Sequence, residues 1–395
     1  MHDHLLDPRE PSFFTQDAYF DVLSWLRAEA PVREVEHGFW TVARYSDIRD
    51  LSRNPAHFCS GQGVLVNDPL RGIGPLNVPS ILHMDPPEHA EFRGLLNRRF
   101  TPRGLAPLAD SIRATAVEVL DAVADRATGE IDFVSELAAP FPLVVIAELL
   151  GIDKTDRGDF RRWSDAAIES PDLPPEETGA ALTDLSTFIM EHIRAKRDHP
   201  GEDLVSLLVQ SEVNGCPLQK MELFMFLLTL LVAGNETTRT LLSGATKALY
   251  DHPDQRAVVV DAPELMPVAM EECLRWVTPV HAFCRTVVED CEVAGSAVRQ
   301  GDYLCMLYAS GNRDESVFGT DASVFDVQRP ANPMHVAFGF GEHVCLGASL
   351  ARLESRIFLE EMLARYPSYA VTGPAERVAS TTVAGIRTMP VVLAP

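Results

Sequence analysis

Apolar residues along this chain recur mostly at three- and four-residue intervals, the helical period, and seldom alternate. Helices are accordingly predicted over 17–29 and 47–53, and again after Asp85, which is expected to cap a helix that Pro86 and Pro87 start. A series follows at roughly 105–127, 142–150, 157–168, 176–197 and 204–211, then 266–276. The Pro- and acid-rich stretch 171–177 reads as a loop between helices. One alternating segment, 39–45, reads as a strand. The longest pattern, 218–250, holds no proline, and its first half is apolar on every side, so it must run through the centre of the fold.

Composition narrows the class. The 395 residues are 46% hydrophobic, enough for a large core, and no linker, repeat or low-complexity run divides 1–395, so a single domain is expected. The N-terminus lacks the basic and apolar regions of a signal peptide, and the longest apolar run, 223–233, is too short to span a bilayer. Seven scattered cysteines without a CxxC pair argue against a disulfide framework or structural zinc site and fit a reducing, cytoplasmic setting. A net charge of −23 argues against nucleic acid or an anionic membrane as partner.

Four stretches carry candidate chemistry. In 335–354, HVAFGFGEHVCLGASLARLE, a glycine-rich turn opens into a helix at Ala348 with Leu350 and Leu353 on one face. Gly339, Gly341 and Gly347 are expected to supply positive φ, and Cys345 before the helix N-terminus should favour the thiolate. From the residues alone, a buried thiol in a tight turn fits equally. His89 and Arg93 lie one turn apart and face the same way, as two cations for a dicarboxylate or as a solvated polar face. AGNETT, residues 233–238, puts a small-residue notch, an acid and an alcohol inside the buried helix. Thr237 can turn its hydroxyl onto the Ala233 carbonyl and open a local bulge, or Glu236 can pair with Arg239 while the threonines pack. Glu272 and Arg275 sit three apart. The long glycine-punctuated segment 59–81 has apolar side chains that want cover, which suits a lid or pocket wall.

The spacing Phe338-x-x-Gly341-x-His343-x-Cys345-x-Gly347 resembles the haem-binding loop of the cytochrome P-450 family, and AGNETT, the His89/Arg93 helix and EECLRW resemble further motifs of that family in its order. The resemblance covers essentially the entire chain. It implies a mainly α, triangular, helix-rich domain with small β-sheets, holding haem b. Cys345 would ligate iron, Phe338 would pack beside the sulfur with Gly347, and His89, Arg93, Arg285 and His343 would bind the propionates. Ala233 and Gly234 would make room for dioxygen, while Glu236 and Thr237 would relay protons to it. Glu272, Arg275 and Arg329 would form a structural clamp. Val232, Val280, His281, Phe283 and Val383 would line the substrate space, with His281 either orienting a substrate oxygen or satisfied by a neighbouring backbone group.

The implied reaction is monooxygenation of an apolar small molecule, a steroid, lipid or polyketide-like product. NAD(P)H would act only indirectly, through a ferredoxin reductase and ferredoxin, which Arg98, Arg99, Arg103 and Arg352 would dock. The protein would be a monomer. A peroxide-driven oxidase of the same fold, a haem sensor or carrier, and a zinc protein using His335, His343 and Cys345 are the other readings.

Overall fold

The helix Lys220–Asp251 runs for 32 residues through the interior. It starts on a capping box, in which the Gln219 N–H donates to the Glu222 carboxylate at 2.7 Å, and ends at His252, where Pro253 follows. Leu223, Phe226, Leu227 and Leu231 bury the first half, and Leu241, Leu242, Ala245, Ala248 and Leu249 the second. The helices Pro140–Leu149, Pro175–Asp198, Met266–Val277 and Ala348–Arg365 surround it. Burying both halves makes this helix the frame against which the rest is placed.

The protein is described from a computed structural model, which places residues 7–71, 80–124, 129–153, 155–156, 158–160, 162–163 and 175–394. A five-stranded sheet joins distant parts of the chain in the order Val32–Glu36, Phe39–Val42, Tyr303–Leu307, Ala282–Val287 and Phe58–Cys59. Its second and third strands are parallel and the others antiparallel. Among the described residues no helix is long and apolar enough to cross a membrane.

Several expected boundaries move for local reasons. The strand expected over 39–45 stops at Val42, because Tyr45 opens the helix Tyr45–Arg53 and gives its N–H to the Asp314 carboxylate at 2.9 Å. The expected helix 105–127 is broken into Pro102–Leu105, a 3-10 turn Ala106–Leu108 and Ala109–Asp121, since Pro107 lacks the N–H that continuity needs. Within the supposed loop 171–177, Pro175 begins the long helix Pro175–Asp198, a position proline tolerates. Residues 171–174, and most of the predicted helix 157–168, lie outside the described residues.

Candidate active site

The thiol loop closes on itself. The Cys345 N–H donates to the Phe338 carbonyl at 2.9 Å, so the glycine-rich turn carries the sulfur at its mouth. Gly339 and Gly341 have φ of +69° and +74°, and a Cβ on Gly341 would lie 2.0 Å from the Ser52 carbonyl oxygen. Only glycine fits there. Gly347, expected to share that conformation, has φ of −79°, the N-cap of the helix Ala348–Arg365; a Cβ on it would meet the Cys345 sulfur at 3.9 Å.

Cys345 remains accessible although the loop around it is crowded. That crowding pushes its thiol pKa up, outweighing the Gly347 N–H and the nearby Arg93 and Arg352 guanidiniums, so helix-end electrostatics alone do not make the thiolate. A coordinating metal cation would remove the proton.

Beside the thiol loop lies a cluster of basic side chains. His89 and Arg93 project from the helix Glu88–Asn97, Arg285 from the strand Ala282–Val287, and His343 from the loop. The His89 and His343 rings are 3.9 Å apart, and His343 Nε2 is 3.2 Å from Ser60 Oγ. Among the described residues neither Arg93 nor Arg285 makes an ion pair. Burial lowers the pKa of His89, Arg93 and His343, the last to about 3 with Arg285 and His89 adding to the effect. Glu342 lies 3.6 Å from His343 Nε2, while the two guanidiniums, which make no ion pair among the described residues, are what a dicarboxylate would satisfy.

Ligand atoms of His89, Glu342 and His343 also come within 4.8 Å of one another, but the two guanidiniums oppose a metal cation there. Asp85 does not cap the helix as expected. Its carboxylate takes the Ser60 and Gly61 N–H groups at 2.7 and 2.9 Å, tying the segment after Phe58–Cys59 to the cluster.

On the central helix the Thr237 hydroxyl donates to the Ala233 carbonyl at 2.7 Å, yet the helix continues without a bulge. Ala233 is exposed in the middle of the helix, whereas a Cβ on Gly234 would touch Ile146 of the neighbouring helix at 3.5 Å. Glu236 is buried and pairs with Arg239 at 2.6 Å, on an interior face and not the exposed one considered from sequence. Thr238 donates to the buried Glu354 at 2.9 Å. Burial pushes the Glu354 carboxyl up to about 8, so it is largely neutral at pH 7. Sequence reasoning passed over Glu354. Its signal was an acid at the centre of the apolar series Leu350, Glu354, Phe358.

Glu272 binds Arg275 through two contacts of 2.7 Å, and Arg329 Nε lies 3.3 Å from the same carboxylate. All three are buried. The expected substrate wall divides. Val280 bridges Val383, Phe283 stands edge-on to Tyr308, and Val232 is half-buried on the central helix. His281 instead stacks on Phe14 at 4.1 Å and binds the Val383 backbone, and its burial brings its pKa to about 3. It is the histidine satisfied by its neighbours. The zinc reading also loses a ligand, because His335 uses Nδ1 to accept from the Ala337 N–H and turns Nε2 toward Glu271.

Residues 176–371 match the family described as Cytochrome P-450. A steroid C26-monooxygenase of Mycolicibacterium smegmatis is 37% identical over 393 residues, 97% of this chain and 94% of the relative. A methyl-branched lipid omega-hydroxylase of Mycobacterium tuberculosis is 34% identical over 392 residues, covering 98% and 91%. The crystal structure of a Bacillus megaterium cytochrome in complex with testosterone superimposes with a TM-score of 0.84 at 32% identity, over 95% of this chain and 99% of that one.

Proposed function

The chain belongs to the cytochrome P-450 family and is a monooxygenase, and from that premise we propose that it holds haem b and hydroxylates the end of a methyl-branched apolar chain on a steroid or lipid. The observation that carries the cofactor assignment is the accessible Cys345 thiol beside the uncompensated cations of Arg93 and Arg285. That donor set fits an iron porphyrin with two carboxylates. Haem iron with a thiolate ligand supplies reductive activation of dioxygen, one oxygen atom entering the substrate and the other leaving as water.

The chain's own residues do the rest. Arg93, Arg285, His89 and His343 hold the carboxylates, and Gly347 leaves room beside the sulfur. Thr237 holds its proton against the Ala233 carbonyl at the notch of the central helix, and the next acid, Glu236, is buried against Arg239 and would relay a proton from there. Val232, Val280, Phe283 and Val383 give an apolar wall that orients a substrate by shape and by excluding water. Electrons come from a separate ferredoxin and its NAD(P)H-dependent reductase, the whole of 1–395 acting as one catalytic domain.

Two relatives support this substrate class, a steroid C26-monooxygenase and a methyl-branched lipid omega-hydroxylase. The test is an optical titration of the ferric protein with branched-chain fatty acids, sterols with intact side chains, side-chain-free steroids and straight-chain fatty acids. A low-to-high-spin shift is expected with the first two classes. A shift confined to side-chain-free steroids or straight chains overturns the substrate reading, and a resting spectrum without thiolate character overturns the cofactor reading.

A further inference from the structure

Beneath the thiol loop, three parts of the chain meet in a charge cluster that the proposed chemistry leaves unused. Glu271, on the helix Met266–Val277, receives a two-pronged contact from Arg352 of the helix Ala348–Arg365, at 2.6 Å from Nε and 2.8 Å from Nη2. His335 Nε2 lies 3.3 Å from the same carboxylate. The Arg352 guanidinium stands 4.5 Å from the Phe338 ring centroid, and the Phe338 carbonyl accepts the Cys345 N–H. The chain of contacts therefore runs from Glu271 through Arg352 and Phe338 to the cysteine.

Arg352 is one of the two cations that act on the Cys345 thiol. Glu271 neutralises it there. Burial raises the Glu271 carboxyl, but Arg352 and His335 overcome this and bring it down to about 2, so it carries its charge throughout the neutral range.

We propose that Glu271 is a positioning residue for the haem thiolate: it fixes Arg352 over Phe338, and the balance of this ion pair sets the reduction potential of the site. The proposal rests on the haem-thiolate reading above. Reduction adds negative charge to the site. A guanidinium left without its carboxylate favours the reduced state, and a carboxylate left without its guanidinium opposes it, each acting through a partly buried, weakly screened medium.

The two halves of the pair must then shift the potential in opposite directions, which a mere clamp between two helices would not do. The experiment is spectroelectrochemical titration of the substrate-free holoenzyme as wild type, E271Q, R352Q, E271Q/R352Q and R352K. The expected result is a roughly tenfold gain in the reduction equilibrium for E271Q and a similar loss for R352Q, each about 59 mV for a one-electron couple. The double variant should return close to wild type, and R352K, which keeps the charge, should stay near it.

Single variants that shift in the same direction, or neither shifting with the thiolate spectrum intact, overturn the proposal. Should one glutamine variant lose that spectrum, the other decides: a shift in its expected direction with R352K near wild type upholds the charge role, and no shift or the opposite shift overturns it. A wild-type protein without a thiolate spectrum overturns the haem reading itself, which is distinct from same-direction shifts in a protein that has one.

Discussion

Glu354 shows how one buried residue sets a property of the whole protein. Its carboxyl is lifted to about 8 by burial, against about 4.3 in an unfolded chain. The folded state therefore holds this proton more tightly. The stability it lends is fully present below the unfolded value and is lost as pH rises toward about 8, at up to about 1.4 kcal/mol per pH unit. Glu354→Gln keeps the shape and removes the titration. Urea unfolding at pH 5 and pH 8 should show the variant gaining on wild type at the higher pH, and parallel pH profiles would place Glu354 in contact with water. Gly341 makes a different residue-scale demand, because only the absence of a Cβ lets the loop pass the Ser52 carbonyl.

At the scale of elements, side chains far apart in sequence lock segments together. Glu272 takes two contacts from Arg275 on its own helix, accepts the Asp326 N–H at 2.9 Å and faces Arg329, so one carboxylate organises the chain ahead of the thiol loop. Glu272→Ala leaves the fully buried Arg275 without its carboxylate. The expected loss is about 3–5 kcal/mol in urea unfolding of the holoprotein, with haem content falling in parallel. A loss under about 1 kcal/mol would show that the surrounding carbonyls of Asn312, Ala322 and Val324 suffice for Arg275. The Asp85 contacts to Ser60 and Gly61 work in the same way, fastening a loop to the cation cluster instead of capping a helix.

At the scale of the molecule, a net charge of −23 would repel an acidic electron donor such as the proposed ferredoxin, so its docking would depend on local cations. Arg98, Arg99 and Arg103 are exposed and available. Arg352, expected among them, is paired with Glu271, so its charge is already balanced. Reversing charge at Arg98 and Arg99 together should raise KM for ferredoxin roughly tenfold at low salt with kcat little changed, and added salt should narrow the gap to wild type. Equal KM values for the two proteins would place docking on another face. On this reading the proposed docking falls to Arg98, Arg99 and Arg103, and the proposed tuning of the site to Arg352.

The sequence by itself determined the helical class, the central helix and the identity of Cys345, because hydrophobic period, glycine spacing and an unusual motif are local properties of neighbouring residues. It also carried Glu272, Arg275 and the pair His89 and Arg93, through three- and four-residue spacing on a helix. Tertiary structure decided what those groups meet. It raised the Cys345 thiol pKa by crowding, turned Glu236 to Arg239, gave Arg352 to Glu271 and withdrew His281 onto Phe14. Burial, ion pairing and ring stacking join residues up to hundreds of positions apart, and their energies depend on distances that no local pattern encodes.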